Sequence, residues 1–438
     1  MGWAIHGRML KLAASTLVLA ACASSTSPLA GESSSPLDAS SSPASAVATA
    51  GCPHPTGVGW DDQETNVSQR LVERDDGLTV EIVEYPLPDY EARLWSQWGQ
   101  GAVMDDGTFI SAVGDEAGPD GNSFFYAYDP TSATITRFGD VLSFVDHPPG
   151  GFGYGKVHAQ MVAGACGEVY AHTYWGTRRD LEYDESYRGD LLFRIDPGTI
   201  ELIGVTAEGR GTASMAGSSD GSLLYLEAVE PDENVSELVV YDVAARRVVE
   251  SLSDPHIGNR ALAIGSDDQV YFSSGQTRLS VYNPATGTVE AVDDLIPGEV
   301  LRAATPARAD GSIVAVTRDP DEFFVLQADG RVEPLGSAAG YTASLAMSAD
   351  GRHVYYVPGA HGKSGEIGTP VIDLDPETGQ QSTLVELFEP AAEFLDVRLG
   401  GSYNVVLDHE KGLLYVGLNA GEGDETFGRV FLAIIKLP

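Results

Sequence analysis

Beyond about residue 78 the chain is a succession of short apolar runs broken by Gly, Asp, Pro and Asn, with almost no stretch of helical period. Runs of this kind, rich in Val, Ile, Tyr and Phe and bounded by turn residues, predict strands. Set against itself, the chain repeats one unit: an apolar strand, a two-residue turn that is usually Asp-Gly, a second strand, a variable loop, a third strand often ending Tyr-Asp-Pro, and a fourth strand. Seven copies of the first two strands can be read, in GAVMDDGTFISAVG, HAQMVAGACGEVYAHTYWG, ASMAGSSDGSLLYLEAV, ALAIGSDDQVYFSSG, RAATPARADGSIVAVTR, ASLAMSADGRHVYYVPG and YNVVLDHEKGLLYVGLN. Third strands follow in segments such as FFYAYDPTSATITRFG, LLFRIDPGTIELIG and LSVYNPATGTVEAV.

A period of roughly 40–60 residues with four short strands per unit marks a β-propeller, in which each small sheet is unstable alone and buries its faces against its neighbours. From about Leu78 to Pro438 the strand rhythm resembles YVTN and WD40-like propellers, although no Trp-Asp dipeptide ends the blades. The last copy is one strand short, and LTVEIVEYPLP, residues Leu78–Pro88, alternates like a strand ahead of the first copy. The expected fold is therefore all-β, a seven-bladed β-propeller whose N-terminal strand closes the last blade beside Val430–Pro438 and removes an open sheet edge.

The first residues, MGWAIHGRMLKLAASTLVLAAC, place Arg8 and Lys11 before an apolar run from Leu12 to Ala21 that ends at a cysteine. This is a secretory signal, too short for a permanent span. Leu19-Ala20-Ala21-Cys22 resembles the bacterial lipobox, which implies that Met1–Ala21 is removed and that Cys22 carries lipid. The Ser/Ala/Pro-rich stretch that follows has no apolar periodicity and reads as a flexible tether. The expected organisation is a signal peptide over 1–21, a lipidated tether over 22–70 and a propeller over 71–438. Such a chain would be a lipoprotein of the cell membrane or outer membrane, exposed outside the cytoplasm. Export also makes a disulfide the simplest use of the two other cysteines, Cys52 and Cys166.

A formal net charge of −38 over 438 residues repels phosphate backbones, so nucleic acid is excluded as an expected partner. The densest candidate chemistry is KVHAQMVAGACGEVYAHTYWG, with two histidines and a cysteine. There, however, Cys166-Gly167 takes the turn position that Asp220-Gly221, Asp310-Gly311 and Asp350-Gly351 hold in other copies. His158 lies at the far end of the first strand, roughly 26 Å away at about 3.3 Å per residue, beyond the reach a nucleophile pair needs. His172, inside the second strand, reads as packed between blades.

Long Gly-rich loops on one face and tight turns on the other predict a single binding face. In this register His158, His256 and His361 fall in loops leading toward the axis, and Arg178, Arg179, Arg260, Arg302, Arg318 and Lys363 share their face. A cationic rim on an acidic protein predicts an anionic ligand, such as a carboxylate, a uronic-acid sugar or a phosphate-bearing molecule. Tyr174 and Trp175 are candidates to stack on it. The competing reading pairs these cations with neighbouring Asp and Glu. Three histidines from separate blades are candidates for a divalent metal, or one for a general base with arginine stabilising an enolate; the cofactor is otherwise open. Virginiamycin-lyase-like and oligogalacturonate-lyase-like propellers show that the architecture hosts such chemistry, and the likeness to them lies in fold rhythm. No Gly-rich phosphate loop, zinc Cys pairs, GxSxG elbow or full calcium loop occurs. The expected function is a membrane-anchored, monomeric propeller that binds an anionic small molecule, glycan or protein partner on its loop face. The alternative is a lyase or hydrolase acting on a sugar acid or lactone.

Overall fold

The computed structural model describes residues 56–60, 64–174, 187–229, 235–257 and 261–438. Seven antiparallel sheets form a ring, the seven-bladed β-propeller that the repeat predicts. Blade 1 runs outward from Ala102–Val103 through Phe109–Gly114 and Ser123–Asp129 to Thr134–Asp140. The inner strands of blades 2 to 7 are Val162–Ala163, Gly211–Gly217, Ala263–Ile264, Val300–Ala304, Ala346–Met347 and Arg398–Asp408.

Each pair of neighbouring blades shares at least one buried apolar cluster, and the ring is held by these seams. Phe125 of blade 1 meets Phe193 of blade 2 at 5.2 Å, Phe323 of blade 5 meets Tyr356 of blade 6 at 5.1 Å, and Phe109 of blade 1 stacks on Tyr415 of blade 7 at 4.6 Å. Closure comes from Thr79–Glu84, which pairs with the last strand, Arg429–Lys436, in a register running from Phe431↔Glu84 to Lys436↔Thr79. Val80 and Ile82 of that strand are buried in the blade 6–7 cluster and Val83 in the blade 7–1 cluster. Arg429 grips Glu84 with two bonds of 2.6 Å.

The Asp-Gly turns do what their sequence asks of them. In blades 1, 3, 5 and 6 the glycine is left-handed, with φ of 85°, 67°, 83° and 70° at Gly107, Gly221, Gly311 and Gly351, a conformation that costs an L side chain energy. The preceding aspartate accepts the amide two residues on, as Asp310 Oδ1 does from Ser312 at 3.0 Å.

Three blades carry a fifth strand that the apolar pattern does not announce. Val58–Gly59 pairs with the outer strand of blade 2, Thr65–Val67 with that of blade 1, and Gln69–Glu73 with the closing strand of blade 7. The chain thus covers three adjacent sheet edges in turn before it closes the ring. Paired chain therefore extends ahead of Leu71 to at least Val58. Edge strands gain their backbone bonds while facing water, so they need no apolar alternation.

Candidate functional site

The loops entering each inner strand and those joining second to third strands gather on one face, and the tight turns on the other. Cys166 sits on the turn face, between Val162–Ala163 and Val169–His172. Trp175, Arg178, Arg179, Arg260, Cys22 and Cys52 lie outside the described residues.

The remaining predicted residues do not form one constellation. His158 is buried, its ring edge-on to Tyr174 at 5.7 Å. Tyr174 is itself buried against Ala213 and Val229 in the blade 2–3 seam, where its ring is packing rather than an open stacking surface. His256 lies within Arg247–Ile257, the outermost strand of blade 3, at the rim rather than the axis. The Asp-Pro ahead of it suggests a loop, yet an edge strand tolerates proline. Arg318 pairs with the adjacent Asp319 at 2.9 Å and Lys363 with Glu366 at 2.8 Å, as the competing reading of the cations expects. Among the described residues no group of three or more His, Cys, Asp or Glu is placed to hold a metal ion.

Arg302 and His361 stand apart. Arg302, on the inner strand of blade 5, is 2% exposed. Its Nε donates to the Tyr341 hydroxyl at 2.6 Å and its Nη1 to the Ala343 carbonyl at 3.2 Å, both across the seam on blade 6. No carboxylate lies within ion-pair distance of it among the described residues, and Nη2 makes no bond while also not being sealed from solvent. Asp321 is the acid that feels it: burial raises the Asp321 carboxyl pKa, Asp319 adds to the rise, and Arg318 and Arg302 pull it back. A buried cation lacking a counter-ion is costly.

Above Tyr341 lies an aromatic shelf. The exposed His361, held left-handed at φ 64°, has its ring 4.9 Å from Tyr341, 5.4 Å from Tyr403 and 5.9 Å from Trp98. Trp98 stacks on Phe427 at 5.5 Å. Lys156 lies over the Trp98 ring at 4.1 Å and 3.5 Å from Glu116, which is also left-handed. Ser96 joins the two, accepting from the Trp98 indole and donating to Glu116.

Trp98, Glu116, Lys156, Tyr341, Tyr403 and Phe427 went unnoticed in the sequence. A usable signal existed for the first: counted back from the turn glycine, Trp98, His158, Thr212, Arg302 and Thr342 hold the same repeat position. Reading down that column points at the loop-face end of each inner strand.

A cavity of about 1110 Å³ lies instead along the axis and opens between the tight turns. Gln100 closes its other end by donating to the carbonyls of Val405 at 2.8 Å and Leu345 at 3.3 Å. Its wall is small and apolar, with Ala102, Val162, Ala216 and Ile264, and Arg308 at its mouth is already bonded to Glu377 at 2.7 Å. A ring of seven sheets leaves such a channel as a matter of geometry, and its polar lining, with Asp105, Asp408, His409 and Glu410, is acidic where Arg308 already has its partner.

Among the described residues no helix is long and apolar enough to cross a membrane. No family model matches the chain, and no curated protein matches it. Among solved structures it is similar to U3-55K, at 14% identity and a TM-score of 0.53, over 81% of this chain and 98% of that one. Hydrazine synthase of Kuenenia stuttgartiensis gives 16% and 0.48 over 77% and 99%. A 6-phosphogluconolactonase candidate from Bacteroides fragilis gives 13% and 0.45 over 73% and 93%. At these identities the likeness to U3-55K supports the propeller fold alone, and function has to be argued from the site.

Proposed function

We propose that this protein is an extracytoplasmic, membrane-anchored and monomeric propeller that binds an anionic ligand on its loop face, beside Arg302. The observation that carries the reading is the buried Arg302 guanidinium, which bonds a hydroxyl and a carbonyl and has no carboxylate within ion-pair distance among the described residues. A fixed, partly desolvated guanidinium gains most from a bidentate anion. The other predicted cations that the structure describes, Arg318 and Lys363, have acidic partners already. Calorimetric titration with acetate, galacturonate and inorganic phosphate tests the reading. Binding of at least one anion that is lost in Arg302→Gln is expected, and binding to none of them contradicts it.

The anchor rests on the lipobox-like Leu19-Ala20-Ala21-Cys22. Cys22→Ala should move the protein from membrane to soluble fraction, and unchanged association would count against it. The proposed Cys52–Cys166 bridge rests on these being the two cysteines left once Cys22 carries lipid. That bridge would fasten the tether to the turn face and leave the loop face turned away from the membrane. In the chain-entropy model, closing a loop of this length contributes roughly 5 kcal/mol. Non-reducing peptide mapping that recovers both thiols free would sink the bridge.

An enzyme at the same place is favoured by one observation, the His361 ring 4.9 Å from a tyrosine whose hydroxyl an arginine holds. Proton abstraction next to a carboxylate is the chemistry such a set could assist. Formation of an unsaturated product from a uronate polymer, followed by ultraviolet absorbance, would support it, and its absence would leave binding alone.

A further inference from the structure

We infer that the ligand is a monoanionic carboxylate borne on a ring, and that the Tyr341 hydroxyl is the second donor that selects it. This rests on the anion-binding reading above and adds the ligand class.

Charge sets the first limit. Arg302 offers one positive charge with no ion-pair partner among the described residues, only the field of Asp321 beyond that distance, while Lys156 faces Glu116 at 3.5 Å and Lys363 faces Glu366 at 2.8 Å. A phosphate ester brings about −1.5 to −2 at neutral pH. One arginine would leave part of that charge unmatched in a low-dielectric seam, within a protein of formal charge −38. A carboxylate brings the single charge that one guanidinium balances.

Donor geometry sets the second. The Tyr341 oxygen is occupied as acceptor by Arg302 Nε at 2.6 Å, so the phenol hydrogen must be given elsewhere. With Nη2 of Arg302, the site presents a charged donor and a neutral donor fixed by the same contact. A carboxylate presents two acceptor oxygens to such a pair.

The surroundings set the third. His361 is exposed and, with half-buried Trp98, extends the apolar surface outward from Tyr341. This favours a flat or sugar ring attached to the acid over a bare carboxylate.

Calorimetric titration of the full chain with galacturonate, galactose, acetate and inorganic phosphate, in wild type, Tyr341→Phe and Arg302→Gln, tests the inference. Galacturonate is expected to bind at least about tenfold more tightly than phosphate and acetate, with galactose undetected. Tyr341→Phe, which keeps the ring and the fold, should weaken galacturonate by about 10-fold or more, as loss of a hydrogen bond to a charged group implies. Phosphate binding as tightly as galacturonate, or an unchanged affinity in Tyr341→Phe, overturns the carboxylate inference while leaving the anion site standing. Binding of none of the anions overturns both. If Arg302→Gln fails to fold, Tyr341→Phe still decides.

Discussion

Acid should destabilise this propeller through one buried imidazole, His172, in the second strand of blade 2. Its ring is fully enclosed. Nδ1 donates to the Thr173 carbonyl at 2.9 Å, and Nε2 accepts from the hydroxyls of Thr206 at 2.9 Å and Thr212 at 3.3 Å. The neutral ring is therefore satisfied at both nitrogens, and a second proton would bury a charge with no carboxylate bonded to it. Burial accordingly lowers its pKa from 6.5 to about 4, against a smaller opposing pull from the Thr173 carbonyl. Above about pH 6.5 neither state takes the proton and His172 contributes nothing to pH dependence. Below it the unfolded chain binds a proton that the folded one refuses, so stability falls until the folded pKa is reached. Between neutral pH and about pH 4.5 the loss amounts to roughly 2.5 kcal/mol. Asp190, across Thr212, opposes it: burial raises its carboxyl pKa well above 3.8, so its own contribution grows as pH falls. Urea unfolding of wild type and His172→Gln at both pH values separates the two effects. The variant should be less stable at neutral pH and should lose about 2.5 kcal/mol less on acidification. Parallel losses in the two proteins would refute the assignment.

Three further outcomes follow from the way the ring is closed and turned. Arg429→Ala removes both bonds to Glu84, and because each side chain is about a third exposed the cost should be only about 1 kcal/mol, read as a small drop in melting temperature. Ile82→Asp places a charge in the blade 6–7 seam and should abolish the cooperative thermal transition, whereas a wild-type melt would mean that the closing strand does not hold the ring. Gly351→Ala forces an L side chain to φ 70° and should cost roughly 1–2 kcal/mol with the ligand affinity unchanged.

The scaffold was legible because its physics is local and repeated. Asp220-Gly221, Asp310-Gly311 and Asp350-Gly351 mark the same turn, and the missing fourth strand of the last copy could be matched to the alternation in Leu78–Pro88. The strands at 58–73 were not legible, because an edge strand held by backbone bonds leaves no apolar signature. The site was read in part. Arg302 was picked out as one cation of the loop face, but its distinction from Arg318 and Lys363 depends on acidic neighbours that only folding supplies. Tyr174 and His256 looked equally exposed in sequence, yet one fills a seam and the other stands on an outer strand. Trp98, Tyr341 and His361 come from blades 1 and 6 and are far apart along the chain, so only the ring brings their side chains together.

The most direct test of the central claim is a crystal structure of the protein grown with galacturonate. The carboxylate is expected within hydrogen-bond distance of Arg302 Nη2 and the Tyr341 hydroxyl, with the sugar ring toward His361 and Trp98. Galacturonate seated instead in the axial cavity between the tight turns, or Arg302 paired with a carboxylate of the protein itself, would contradict it.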